Sequence, residues 1–129
     1  MEKLFIPYET GIPTLAKEKG FDYPCTRYVT NTGQKLSKDM YSECTPSNAC
    51  NWNDTNMDTS IPTYEQLKDW FRTKHNIHIL YGVCGSQTKV LGYKWYVQIG
   101  MENQCYETNM IKDYYIGMTE AIKEAFNKI

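Results

Sequence analysis

The stretch IPTYEQLKDWFRTKHNIHI, residues 61–79, contains the two patterns that decide the fold: an amphipathic helix and the strand that follows it. Thr63 and Gln66 are spaced as a Thr-x-x-Gln capping box, in which each side chain accepts a hydrogen bond from a backbone N–H at the helix start. Apolar side chains then recur at helical spacing, namely Tyr64, Leu67, Trp70, Phe71 and the stem of Lys74. The pattern predicts a helix over residues 63–75 whose apolar face, with Trp70 in it, packs into the core.

After this helix, the sequence predicts a three-stranded antiparallel meander. Apolar and polar residues alternate over residues 77–84 and again over 91–99, which is the period of a strand with one buried face. In the second strand, Tyr93 and Trp95 share a face, and we expect helices to cover them. A third strand is expected over residues 104–110, where polar residues are typical of a sheet edge.

Helices are also predicted near both ends of the chain. Residues 8–19 precede Gly20, which suits a left-handed helix cap, although Gly11 and Pro13 mean that this helix begins near Ile12 or is irregular before it. Asp113 is a suitable N-cap for the closing helix. The apolar stripe expected to face the core from that helix consists of Tyr115, Met118, Ile122, Ala125, Phe126 and Ile129.

Together with a strand over residues 26–30, these elements predict an α+β fold. We expect one small antiparallel sheet of about four strands, with three helices packed mainly on one face. A chain of 129 residues suits a single domain over residues 1–129. The sequence contains no run of about 18 apolar residues, so it predicts no membrane span. The first residues also lack the apolar run of a signal peptide. We therefore expect a protein of the cytosol.

Residues 31–60 are rich in Asn, Thr, Ser and Asp, and they predict a polar loop inserted in the domain. A turn is expected at residues 31–33, and residues 35–37 continue a hairpin with the preceding strand. The pattern leaves open that short strands occur in this segment. Its large apolar side chains, Met40, Tyr41 and Trp52, either pin the loop to the domain or, in the case of Trp52, contact a partner.

The residues that could carry catalysis are few. The sequence has five cysteines and no CxxC spacing among them, so we expect free thiols. They are Cys25, Cys44, Cys50, Cys84 and Cys105. Cys25 is the best-placed nucleophile, with His75 or His78 as its base, but a small buried residue at a strand start is the simpler interpretation. His75 suits the end of a helix. The spacing predicts no metal site, no cofactor and no catalytic set, although enzymatic activity is left open.

Three short segments of the sequence together resemble those of a known group of proteins. They are residues 6–9 (IPYE), 19–25 (KGFDYPC) and 69–75 (DWFRTKH). The chain resembles small uncharacterised proteins encoded by phages and prophages of Bacteroides and related gut bacteria. It departs from them at residues 11–13 (GIP), where the similar proteins have a smoother helix. The resemblance implies a phage or prophage origin, and with it a location in the cytosol of the host cell or in a virion. It supplies no activity and no catalytic residue.

The leading hypothesis is a non-enzymatic interaction protein that binds a host or phage protein, as a host-defence inhibitor or a minor virion or assembly component. The side chains expected to contact the partner are Trp52 and Tyr41 in the polar loop and Tyr96 and Tyr106 on the open face of the sheet. Replacing Trp52 and Tyr96 by alanine is expected to weaken binding and leave the fold intact. The sequence does not predict an oligomeric state.

The alternative hypothesis is a protein that binds a small ligand or a nucleotide, with possible enzymatic activity. It places a pocket between the 31–60 loop and the sheet, with Arg27, Arg72 or Lys94 meeting an anionic group. A sheet-type binder of single-stranded nucleic acid is a third reading of the aromatic strands. The formal net charge of −1 argues against it, because such binding depends on cations that neutralise phosphates.

Overall fold

A computed structural model describes residues 4–30, 41–101 and 104–129. These residues form an α+β structure with three α-helices and two antiparallel sheets of three strands, ordered β2-β1-β3 and β4-β5-β6. In chain order the elements are α1 (Ile12–Glu18), β1 (Arg27–Thr30), β2 (Ser42–Glu43), β3 (Asp58–Ile61), α2 (Tyr64–His75), β4 (Ile77–Gly85), β5 (Val90–Ile99), β6 (Gln104–Glu107) and α3 (Tyr114–Phe126).

The residue contacts divide the chain into two compact units, Met1–Leu67 and Lys68–Ile129. The prediction of one sheet with about four strands is therefore wrong in its arrangement, since β1 pairs with β2 and β3 instead of joining the meander. The physical reason is that β1 finds both partners within the polar segment that the sequence pattern identified as a loop. The single domain expected from the chain length remains a prediction.

In the first unit, the chain enters α1 through a 3₁₀ turn, Tyr8–Thr10. Gly11 joins the two with a φ of +79°, which an L side chain rarely adopts, and Pro13 lies in the first turn of α1, where its missing N–H costs nothing. This confirms the helix start near Ile12. The end is also as expected, because Gly20 has a φ of +92° and the N–H of Phe21 donates to the carbonyl of Ala16 at 2.9 Å.

The described part of the polar segment, residues 41–60, is more ordered than a loop. It contains β2, two 3₁₀ turns and β3. β3 pairs with β1 in antiparallel register from Arg27↔Ile61 to Thr30↔Asp58. The turn expected at residues 31–33, the hairpin through 35–37 and the role of Met40 lie outside the described residues.

The capping box predicted at the start of α2 is present. The N–H of Thr63 donates to Oε1 of Gln66 at 2.9 Å, and the N–H of Gln66 donates to Oγ1 of Thr63 at 3.1 Å. The Nε2 of Gln66 also donates to the carbonyl of Pro24 at 2.8 Å, which ties the cap to the turn before β1. The cap thus starts the helix and also fixes the start of β1 beside it.

The second unit is the predicted meander with α3 on one face. β4 and β5 pair from Ile77↔Ile99 to Val83↔Tyr93, and β6 continues the sheet beside β5. α3 begins at Asp113, whose carboxylate accepts from the N–H groups of Tyr115 and Ile116. The helix packs on β5. The core side chains of this unit are Trp70, Phe71, Ile77, Ile79, Trp95, Val97, Met118, Ala121, Ile122, Ala125 and Phe126.

Trp70 has the core position that the helical pattern predicted. It is buried, and its ring meets the Phe71 ring edge-on at 5.1 Å. Phe71 in turn contacts Phe126 of α3, with ring centroids 4.7 Å apart. The ring of His75 lies 4.7 Å from that of Trp70, in the last turn of α2. The aromatic face of this helix is therefore used for packing.

Candidate functional site

Trp52 is packed against the first sheet. Its indole stacks on the ring of Tyr28, with centroids 3.8 Å apart and planes 17° from parallel. Its Nε1 donates to the carbonyl of Cys25 at 2.8 Å, and its backbone N–H donates to Oγ of Ser60 at 3.1 Å. These contacts use both the ring face and the polar edge of Trp52 to hold the 3₁₀ turn on β1.

Arg27 and Tyr41, predicted for two different roles, lie in one stack. The guanidinium carbon of Arg27 is 3.9 Å from the ring centroid of Phe5 and 4.0 Å from that of Tyr41. A guanidinium over an aromatic face is attracted by the ring quadrupole. The Nη2 of Arg27 also donates to Oε1 of Glu43 at 2.8 Å. Arg27 is thus held between two rings and one carboxylate.

The other two cations proposed for an anionic ligand are also paired. Arg72 forms an ion pair with Asp69 three residues before it on α2. Lys94 lies 3.6 Å from a carboxylate oxygen of Glu107, between β5 and β6. Surface pairs of this kind contribute little to stability, so they do not prevent either side chain from meeting another anion.

The structure separates Tyr96 from Tyr106. Tyr106 pairs with the buried Val97, so it lies on the face that α3 covers. Tyr96 pairs with Leu80 and Glu107 on the opposite face. The expectation that both tyrosines share one open face is therefore incorrect, since neighbouring positions of a strand alternate between faces.

An aromatic group lies on the helix-covered face of the second sheet. Tyr114, the first residue of α3, meets three rings of the sheet almost edge-on: those of Tyr81 at 5.1 Å, Tyr93 at 5.3 Å and Trp95 at 5.0 Å. The ring of Tyr115 stands 5.0 Å from that of Tyr114. Edge-to-face contacts at these distances are favourable beyond the area they bury.

Part of this group is open to solvent. Tyr81 is 46% exposed, Tyr115 39% and Val83, which pairs with Tyr93 on the same face, 60%. We call Tyr81, Val83, Tyr93, Tyr114 and Tyr115 the tyrosine surface. The sequence placed Tyr93 beneath helices and Tyr115 in the core stripe, and Tyr115 is instead exposed. The signal available in the sequence was the alternation of β4 and β5, because side chains two residues apart lie on one face of a strand.

Cys25 is buried, and its thiol is a poor nucleophile. Burial raises the pKa of its thiol from an ordinary 9.0 to about 12, with smaller effects from a hydrogen bond to Ser60, which lowers it, and from the thiols of Cys50 and Cys44, which raise it. The thiolate is the nucleophilic form of cysteine, so Cys25 is protonated and unreactive at neutral pH. The simpler interpretation, a small buried residue at the start of a strand, matches its position.

Within the described ranges, no three His, Cys, Asp or Glu side chains are arranged to bind a metal ion. None of the helices in those ranges is both long enough and apolar enough to cross a bilayer. No protein-family model, curated protein or solved structure matches the chain.

Proposed function

We propose that this protein is non-enzymatic and binds another protein through the tyrosine surface. The observation that carries the proposal is the exposure of Tyr81, Val83 and Tyr115 on one preformed aromatic group. Exposed apolar side chains scattered singly are ordinary on a protein, whereas a contiguous group is typical of an interaction site.

The chemistry of the side chains fits a protein partner. Tyrosine combines a large apolar ring with a hydroxyl, and it is enriched in the buried centres of interfaces. The rings of Tyr81 and Tyr93 are already held by Tyr114, so ordering them on binding costs little conformational entropy. The surface is therefore suited to binding without prior rearrangement.

The partner in this proposal is a protein of the host cell or of the phage. That step rests on the resemblance to phage and prophage proteins of Bacteroides-type bacteria. A host-defence inhibitor and a minor virion or assembly component both fit it, because each acts by occupying a protein surface.

The experiment compares capture of the partner by three glutamate variants of the tagged protein in an extract of the cells that encode it. Tyr115→Glu introduces a charge on the surface beside Tyr114, and it spares α3 because an acidic side chain in the first turn suits the helix dipole. We expect it to weaken binding at least about tenfold, as the loss of an interface hot spot does.

The two other variants locate the binding surface. Tyr96→Glu alters the opposite face of the same sheet, and Met57→Glu alters an exposed apolar residue of the first unit. Both are expected to capture the partner as the wild type does. Loss of binding in Tyr96→Glu with retention in Tyr115→Glu would move the site to the opposite face and refute the proposal.

A further inference from the structure

The outer edges of the two sheets differ in how they are protected against pairing with another strand. β2 has two residues, and β6 has four and carries Glu107, which pairs with Lys94. Short strands and charged side chains both discourage edge-to-edge association.

The edge of β3 is blocked by side chains of the preceding segment. The N–H of Ser60 donates to Oδ1 of Asn53 at 2.8 Å, and the N–H of Asp58 donates to Oγ1 of Thr55 at 3.2 Å. Nζ of Lys17 donates to the carbonyl of Asp58. Three of the backbone groups with which a further strand would pair are therefore already bonded.

β4 lacks each of these protections. It is nine residues long, IHILYGVCG, and contains no charged residue and no proline. Among the described residues, β5 is its only strand partner, so the N–H and C=O groups on its outer side pair with no neighbouring strand. Leu80 on one face and Tyr81 and Val83 on the other are exposed beside that edge. A long, neutral, apolar edge is a template for another strand.

We infer that the outer edge of β4 pairs antiparallel with β4 of a second copy of this chain, joining two sheets into one of six strands. This goes beyond the proposed function, because it concerns the edge of the sheet and a different partner. A second copy is the occupant that matches β4 in length and alternation, and no charge opposes it. Like charges opposite one another oppose self-pairing, and β4 has none along its length.

The alternation of the strand also suits self-pairing. Two copies related by a twofold axis normal to the sheet place residues of the same face opposite each other, so the apolar set Ile77, Ile79, Tyr81 and Val83 meets itself. Tyr81 and Val83 of the two copies would then lie side by side. Pairing thereby removes apolar area from water that the single copy leaves exposed.

The test is the molar mass of the purified full chain by light scattering over a wide range of concentration, with two matched variants. Leu80→Lys places a charge beside the edge, and Leu91→Lys places one on the central strand β5. The two leucines are similarly exposed, at 47% and 49%. We expect a concentration-dependent dimer that Leu80→Lys weakens at least about tenfold and Leu91→Lys leaves near wild type.

Amide hydrogen exchange of the wild type provides a second measurement that does not depend on a variant folding. Exchange over residues 80–85 is expected to slow as the concentration rises, without a matching change at the start of α3. A chain that stays monomeric throughout would overturn the inference. So would a dimer that Leu91→Lys disrupts and Leu80→Lys does not. Tyr81 and Val83 belong to both surfaces, whereas Tyr115 lies on α3 and belongs to the tyrosine surface alone, so Tyr115→Glu tests partner capture separately from dimerisation.

Discussion

Trp95 lies directly against Gly117: a Cβ built on the glycine would be 2.5 Å from Cδ1 of the indole and 2.7 Å from its Nε1. Trp95 is fully buried, and its Nε1 has no hydrogen-bond partner among the described residues. The contact is therefore one of packing alone. It explains why α3 contains a glycine near its start, where helix propensity alone would favour another residue.

Gly117→Ala is expected to destabilise the protein. Alanine gains about 1 kcal/mol in helix propensity, but forcing its methyl group against the indole costs about 1–3 kcal/mol as overpacking. We expect a net loss of about 1 kcal/mol in the free energy of unfolding, measured by chemical denaturation. Glu120→Ala, at an exposed position of the same helix, is the control and should be near neutral. A Gly117→Ala variant as stable as the wild type would show that the helix moves freely over Trp95.

Trp52→Ala is expected to cost about 3 kcal/mol or more, because it removes the stack on Tyr28 and leaves the carbonyl of Cys25 without its indole donor. Trp52→Phe keeps the stack and should cost about 1 kcal/mol, the value of one hydrogen bond. Thermal and chemical unfolding give both numbers. This prediction differs from the expectation drawn from the sequence, which was that Trp52 can be removed with the fold intact. Equal stability of the alanine variant and the wild type would restore Trp52 as a free contact residue.

The raised pKa of the Cys25 thiol predicts a loss of stability in alkali. Below its ordinary pKa of 9.0, the thiol is protonated in both the folded and the unfolded chain. Between pH 9 and about 12 only the unfolded chain releases the proton, which favours unfolding. The stability of the wild type relative to Cys25→Ala should therefore be about 1.4 kcal/mol lower at pH 10 than at neutral pH. The check is denaturation of both proteins at pH 8, 9 and 10; parallel curves would mean that the buried thiol ionises normally.

The elements with strong periodicity were predictable, because a single amphipathic pattern determines them. α2, α3 and the β4–β5 hairpin follow from the capping residues Thr63 and Asp113 and from alternation in the strands. β3 was not predictable. Its sequence, DTSI, has one large apolar residue, so no alternation distinguishes it from a polar loop. Its burial comes from contacts with β1 and α1, which are distant in the sequence, and with the 3₁₀ turn Trp52–Asp54.

The tyrosine surface was only half predictable. Alternation correctly places Tyr81 with Tyr93 and Trp95 on one face, but it does not say how far a helix covers that face. Coverage depends on where α3 begins and on which side chain its first turn directs at the sheet. Tyr114 points at the sheet, and Tyr115, one residue on, is exposed. A difference of one position decides whether a ring packs on the sheet or is exposed, and the apolar stripe could not resolve it.

The most direct measurement of binding through the tyrosine surface is site-specific photo-crosslinking. A benzophenone side chain replaces Tyr115, Tyr96 or Met57 in three tagged proteins, which are irradiated in an extract of the encoding cells. We predict one discrete protein adduct from position 115. Excess wild-type protein without benzophenone should abolish this adduct, and excess Tyr115→Glu protein should leave it undiminished. Adducts from position 96 or 57 with none from 115 would contradict binding through this surface.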